Sequence, residues 1–457
     1  MKREFFKTML LYFLVITSLF LTVNIWSGKE LWSYDYSSFI YNARNFFAKE
    51  NSGIFVSKDA VQTSECYSVK WIALSSDSKK SISYLGEENY NAFSELLSVL
   101  RSDITKAGTV SLVEHDDFIN IFKGSGICAK FSTDIPLSDY LKCDEAFFDD
   151  VKNPYSDIVF LSIPSDYTAT KYLYFSDKKT KNNYRLPVKY TDERLSEELS
   201  ALLNSQGSSD SFSFELNFDK KTSGVERILL DSLVPVAISE KNIRTLNVEC
   251  VNYNDFGDVY DSVFRAFNIK KNSARSYTDT DGVTGFIENH ATLRVFKNGY
   301  FQYETDESFE GLSIGEGDNA IRTIAFANSI YKGCLETDAF LCLDKVTEEN
   351  GIITYEFSYA TPYGSLYSTM GSCATMKVKD GNIIFYKQLL LDISVSERNV
   401  NVGSLLNAYD KMYNSDLPKT KSGLSIVNLC PVNVYTDEGR VEQKWYFEFS
   451  DGSSEFL

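Results

Sequence analysis

Residues 277–304, YTDTDGVTGFIENHATLRVFKNGYFQYE, decide the fold class. Asp281-Gly282 and Asn298-Gly299 are hairpin-turn dipeptides, because both residue types accept the left-handed backbone that a tight turn needs. Around them apolar and aromatic residues alternate with polar ones, the period of a strand. The stretch therefore reads as an antiparallel meander. Just upstream, Val259, Val263 and Phe267 recur at spacing four, which predicts a helix over Asp255–Phe267. Helix then meander recurs downstream. A helix is expected over Asp318–Tyr331, with Ile321, Ile324 and Ala325 near one face, followed by strands punctuated by Asn350-Gly351 and Asp380-Gly381. A last helix, Val402–Tyr413, precedes alternating strands at Leu424–Tyr435 and Val441–Phe449. One helix laid across one antiparallel sheet is an α+β arrangement.

The first half is less regular. Asn89–Leu100 carries Tyr90, Phe93, Leu96 and Leu97 on one helical face, and Glu193–Leu203 carries Leu195, Leu199 and Leu202. Phe118–Phe122 alternates loosely before Gly124 and Gly126 turn the chain. Pro136 and Leu137 open a short helical stretch reaching Phe148. Asp157–Ile163 and Tyr172–Phe175 read as strands, separated from the next by the polar turn Lys178–Asn183. SQGSSDS at 205–211 has linker composition. After it, Phe212–Phe218 alternates strictly, as in a half-buried strand.

The chain has 457 residues and a formal net charge of -17. That surface repels phosphate backbones, so nucleic-acid binding is not expected. Apolar residues at 43% and charged residues at 24% are ordinary for a folded chain and exclude disorder. The 29 Tyr and 33 Phe, against only 8 Pro, favour strands.

Thr8–Trp26 contains no charged residue, and as a helix it would be about 28 Å long, near the hydrocarbon thickness of a bilayer. Lys2, Arg3 and Lys7 precede it against a single Glu4, so the positive-inside rule places residues 1–7 in the cytoplasm and everything after Trp26 outside. Bulky Trp26 is ill suited to signal-peptide cleavage and well suited to a membrane interface, so the segment reads as an uncleaved, single-pass anchor. On this helix Thr17, Ser18, Leu21, Thr22 and Asn24 share one side. Ser18 and Thr22 form a small-x-x-x-small pair, and Asn24 is able to hydrogen-bond across helices. This side is the candidate partner interface. The plainer alternative is a lipid-facing anchor whose Ser and Thr bond back to their own backbone.

The eight Cys include no C-x-x-C spacing, so zinc-ribbon and thioredoxin-type sites are not expected. Buried free thiols suit a chain this large. Gly124, Gly126 and Ala129 fit G-x-G-x-x-A, but Thr133, Asp134 and Pro136 interrupt any following helix, so a turn is expected rather than a dinucleotide site. Asp279, Asp281, Gly282 and Glu288 fit part of an EF-hand loop, yet Tyr277 stands where the first carboxylate belongs and the flanks alternate like strands. His115 and His290 are the only histidines. Ser76/Lys79 and Ser176/Lys179 match S-x-x-K in polar turns without companion motifs. Asp116/Asp117 and Asp149/Asp150 read as solvated faces. No catalytic, cofactor-binding or metal-ligating residues are therefore expected.

The start MKREFFKTMLLYFLVITSLFLTVNIW (1–26) resembles the YycH family, whose relatives are the YycI proteins. FSTDIPLSDYL (131–141), Ile158–Ile163 and YLYFSDKKTKNNYRL (172–186) are similar in order and character to that family's first extracytoplasmic domain. Leu230–Ile238, Asp258–Phe267 and Tyr277–Glu304 look like its second, and Ser425–Phe449 resembles the closing strands of a YycI-like domain. The resemblance implies a cytoplasmic tail (1–7), a transmembrane helix (8–26) and three extracytoplasmic domains. These are a YycH-like domain (27–206), a middle α+β domain (207–306) and a C-terminal YycI-like α+β domain (307–457), the last two built of helices on antiparallel sheets. It further implies a non-enzymatic regulator of a WalK (YycG) sensor histidine kinase, which governs cell-wall metabolism in Gram-positive bacteria, with a YycI-like protein as a further partner. The expectation from another class is a membrane-anchored extracytoplasmic binding module for a wall-derived or other ligand.

Overall fold

The computed structural model describes residues 67–457, apart from 77–78, 142, 144, 150, 152, 165, 167–168, 191–194, 207–209, 217–228, 238, 289, 307–311 and 315–318. Thr8–Trp26, with the expected interface residues Thr17, Ser18, Leu21, Thr22 and Asn24, lies outside them. Among the described residues no helix is long and apolar enough to cross a membrane.

The first part runs β1 (Val69–Ser76), β2 (Lys79–Tyr84), α1 (Tyr90–Asp103), β3 (Thr105–Lys106), β4 (Ser111–Val113), α2 (His115–Ile121), β5 (Gly126–Pro136), α3 (Leu137–Leu141), β6 (Tyr155–Ser162), β7 (Lys171–Asp177), β8 (Asn182–Lys189) and α4 (Leu195–Gln206). Its strands form one antiparallel sheet in the order β2-β1-β5-β6-β7-β8-β3, with β4 also on β8. Successive strand residues face opposite sides, so each strand feeds two cores. Ile72, Leu74, Ile127, Phe131, Val159 and Leu161 point to the face covered by α1, α3 and α4, where Phe93, Leu137, Leu195 and Leu199 bury themselves. Trp71, Ala73, Cys128, Ile158 and Phe160 point the other way.

The chain continues through β9 (Ser211–Phe212), β10 (Leu229–Leu230), β11 (Pro235–Val236) and β12 (Lys241–Cys250). The first helix–meander unit is α5 (Asp261–Ala266), β13 (Arg275–Thr278), β14 (Thr284–Glu288), β15 (Ala291–Val295) and β16 (Tyr300–Thr305). After β17 (Leu312–Ser313) the second comprises α6 (Asn319–Cys334), β18 (Phe340–Glu349), β19 (Ile352–Thr361), β20 (Gly364–Ser368), β21 (Ala374–Lys379) and β22 (Asn382–Leu389). The last elements are β23 (Leu391–Gly403), α7 (Leu405–Tyr413), α8 (Leu417–Thr420), β24 (Ser425–Tyr435), β25 (Val441–Phe449) and β26 (Ser454–Phe456).

Antiparallel pairing of β16 with β22 joins the two units edge to edge. The resulting sheet runs β13-β14-β15-β16-β22-β21-β19-β20-β24-β25-β26, with β10 on β24, β17 on β22 and β18 on β19. Hydrogen bonding therefore crosses position 306. The helices α5 and α6 cover one face, where Phe264, Phe267, Ile324 and Tyr331 meet Phe286, Phe301, Tyr355 and Tyr386. At its far end β24 and β25 lay Val432, Val434, Trp445 and Phe447 against the second face of the N-terminal sheet, together with Phe118, Phe122 and Phe212. The whole is α+β.

Local corrections follow from side chains that the spacing did not reveal. Phe118 and Phe122 lie one helical turn apart on α2, their rings edge to face at 5.4 Å. Within the expected strand Phe212–Phe218, of which 212–216 are described, only Phe212 is in a strand. The Glu215 carboxylate accepts from the Phe212 N–H and from Lys80 Nζ, which turns Ser213–Glu215 into a 3-10 coil. The expected helix Asp255–Phe267 is helical only over Asp261–Ala266, because the Asn252 side chain accepts from the Asp255 N–H and holds a turn there. On α4 the third buried contact is Leu203 rather than Leu202.

Gly126 opens β5 with no room for a side chain: a Cβ there would lie 2.4 Å from the Leu161 carbonyl oxygen and 2.5 Å from the Phe160 ring. Gly126→Ala is expected to cost about 1–3 kcal/mol by overpacking. Chemical denaturation checks this, and an unchanged midpoint would contradict the packing of β5 on β6.

Candidate functional site

Buried charge concentrates where the N-terminal sheet meets the rest of the chain. The bare edge of β2 is the first place. An edge strand leaves every second residue's backbone groups unpaired, and here side chains take them. Ile82 N–H donates to Asp210 Oδ2 at 2.9 Å, Lys241 Nζ donates to the Ile82 carbonyl at 2.9 Å, and Tyr84 N–H donates to Glu87 Oε2 at 2.8 Å. Lys241 also lies 3.4 Å from Glu87 and 3.8 Å from Asp210. Burial pushes the Glu87 carboxyl above its usual range, with Lys241 pulling against it. The three side chains stand in for a neighbouring strand.

The second place is the contact of β1 with β18 and β25. Lys70 is 3% exposed and reaches Asp344 Oδ1 at 3.0 Å. The Tyr367 hydroxyl donates to the same oxygen at 3.2 Å. The Tyr367 and Tyr446 rings stack at 4.8 Å, and the Lys70 ammonium lies 4.6 Å from the first and 5.5 Å from the second. Burial works against the Lys70 charge, yet Asp344 outweighs it and raises the ammonium above its usual range. Close by, Ser132 Oγ donates to the Leu343 carbonyl at 2.7 Å, tying β5 to β18.

The third is the β5–β6 pair. Asp157 Oδ2 lies 2.5 Å from Lys130 Nζ and 3.1 Å from Lys178 Nζ. Burial opposes the Asp157 charge, but the two ammonium groups hold its carboxyl at about 2. Asp134 is more than a third open to solvent, yet the protein crowded around its carboxyl and the neighbouring Asp157 push it up to about 6. Burial likewise pushes up Glu448.

Glu87, Asp210, Asp344 and Asp157 are spent on lysines and backbone N–H groups, so they hold the sheets together. Of the motifs weighed in the sequence, Gly124 lies between α2 and β5 and Gly126 opens β5, so a strand stands where a dinucleotide site needs a helix. Asp279 Oδ1 accepts from the Asp281 and Val283 N–H groups and closes the β13–β14 turn, while Glu288 accepts from the Lys270 N–H. His115, which opens α2, and His290, in the turn between β14 and β15, are both exposed. Of the described cysteines, Cys128, Cys342, Cys373 and Cys430 are buried. Among the described residues no cluster of three or more His, Cys, Asp or Glu is placed to hold a metal ion. Sequence reasoning missed Lys70, Lys130 and Lys241. The one available signal was Lys70 inside the apolar strand VKWIAL.

No family model matches the chain, and no curated protein matches it. Among solved structures it is similar to the crystal structure of YycH from Bacillus subtilis, with a TM-score of 0.58 at 11% identity. The fold resembles that of YycH. The likeness covers 87% of this chain and 97% of that one, so it takes in both sheets.

Two substitutions test the buried charges. Asp344→Asn leaves Lys70 buried without its counter-ion and is expected to cost about 3–5 kcal/mol, whereas Lys70→Met with Asp344→Leu should recover most of that. Equal losses in the single and double variants, read by urea unfolding, would contradict it. For Asp134 the folded-state carboxyl lies above its ordinary value, so its ionisation costs stability as pH rises through about 6. Asp134→Asn should therefore raise the Tm at pH 8 and leave it nearly unchanged at pH 4.

Proposed function

We propose that this chain is a non-enzymatic, membrane-anchored regulator of a WalK/YycG-like sensor histidine kinase that controls cell-wall metabolism. The observation that carries the proposal is the YycH-like fold, which extends over 87% of the chain. The charge pattern of the first 26 residues supports the membrane placement: Lys2, Arg3 and Lys7 inside, one spanning helix, and three extracytoplasmic domains outside. A YycI-like protein is a further proposed partner.

A regulator of this kind needs no reaction centre. It acts by binding one signalling state of the kinase more tightly than the other, and a difference of a few kcal/mol shifts the population substantially. The face Thr17, Ser18, Leu21, Thr22 and Asn24 is the proposed contact, because Ser18 and Thr22 let a partner helix approach closely. Interhelical hydrogen bonds in membranes contribute only about 0.6 kcal/mol each, so bulk should matter more than polarity.

Ser18→Leu with Thr22→Leu is expected to reduce co-purification of the full-length chain with the kinase severalfold, with membrane insertion intact. Leu14→Ile should change little. Co-purification at the parent's level would sink the helix-face contact. Intact mass of the membrane-extracted protein should begin at Met1, and an N-terminus near Lys29 would overturn the anchor.

A further inference from the structure

The helices α5 and α6 cover one face of the large sheet, and the strand registers show what stands on the other. Arg275 lies opposite Ile287, Gly285 opposite Arg294, Thr292 opposite Glu304, Gln302 opposite Lys387, and Lys377 opposite Phe385. These side chains are exposed or half-buried, from β13 across to β21. Gly285 has no side chain because the Tyr277 ring lies over it, where a Cβ would meet that ring at 2.3 Å.

The charge on this face runs against the charge of the chain. Arg275, Arg294, Lys377 and Lys387 stand there against Glu304, which Arg294 already holds at 3.1 Å. The next strand, β19, adds Glu356, which accepts from Ser372 at 2.9 Å. The chain as a whole carries -17. Two of the lysines are backed by rings: Lys377 lies 5.4 Å from the centre of Phe385, and Lys387 lies 4.2 Å from that of Tyr300. Tyr277 and Ile287 leave apolar surface exposed between the cations, at 41% and 38%. Six strands about 4.8 Å apart make a field roughly 24 Å wide.

We propose that this face docks an acidic surface of a partner protein. Its cations complement carboxylates, while Tyr277, Ile287 and Phe385 need apolar cover that a phosphate polymer or a lipid headgroup layer does not supply. A field of this size buries less than about 1,200 Å² in total, the range of weak, reversible contacts. Electrostatic attraction then sets much of the association rate and makes binding salt-dependent. The assignment is independent of which kinase the chain serves and of the membrane-helix contact.

The test uses the full-length chain in phosphatidylcholine nanodiscs. The probes are a labelled soluble peptide of Glu interspersed with Leu and Tyr, and the same peptide with Gln for Glu. Anisotropy should show the Glu peptide binding, at least tenfold tighter than the Gln peptide and weakening between 50 and 300 mM salt, both as roughly expected for screened charges. Lys377→Glu with Lys387→Glu should weaken it about tenfold, or about 1.4 kcal/mol. Lys411→Glu with Lys419→Glu, on the distant α7 and α8, should not. The milder Lys377→Gln, with its Tm checked, gives the same direction if the double reversal unfolds. Equal binding by the Lys377/Lys387 variant, equal binding of the Gln peptide, or displacement of the Glu peptide by inorganic polyphosphate or by phosphatidylglycerol nanodiscs would overturn the proposal.

Discussion

Trp71 and Tyr84 from the first hairpin pack against Trp445 and its neighbours from the last, and the molecule depends on that contact. The Tyr84 and Trp445 rings meet edge to face at 5.8 Å, and Trp71 lies 5.8 Å from Phe212. Inside the same layer sits Lys70 with Asp344, a pair whose desolvation is offset only when its geometry is kept. Shape and charge therefore specify the same alignment. A slip of one residue in β1 would turn Trp71 to the wrong face and carry Lys70 away from its counter-ion. The two ends of the described chain are locked to one register through their side chains, although β1 and β25 share no backbone ladder.

The two sheets deal with their unpaired polar surface in opposite ways. At β2 the edge is closed from within by Asp210, Lys241 and Glu87, which come from three separate places in the chain. That device blocks strand addition and also fixes where the segment after α4 must run. On the large sheet the face away from α5 and α6 carries, among the described residues, exposed and half-buried cations that rest on aromatic rings. A protein that is acidic overall has kept a basic, partly apolar plane there.

A function carried by surfaces fits the rest of the chemistry. The buried carboxylates serve lysines and backbone N–H groups, Asp279 and Glu288 serve turns, and the histidines stand apart on the surface. The fold, similar to that of YycH, holds these groups in sheets joined by buried ion pairs such as Lys70 with Asp344.

The sequence by itself determined the parts whose causes are local. Asp281-Gly282, Asn298-Gly299, Asn350-Gly351 and Asp380-Gly381 each turn a hairpin, because their backbone demands are met within a few residues. The apolar spacings of α1, α4, α6 and α7 made helices for the same reason. Only the tertiary structure decided that β16 pairs with β22, that β24 and β25 lie on the first sheet, and that Lys70, Lys130 and Lys241 are buried. Those outcomes join residues far apart in the chain, and a lysine looks polar in sequence until its counter-ion is known. Phe212–Phe218 shows the limit most plainly: its alternation promised a strand, and Glu215, bonded to Lys80 from another element, turned it aside. Pattern reports what a segment prefers alone, whereas the partner that completes its hydrogen bonds and pairs its charge is chosen by the fold.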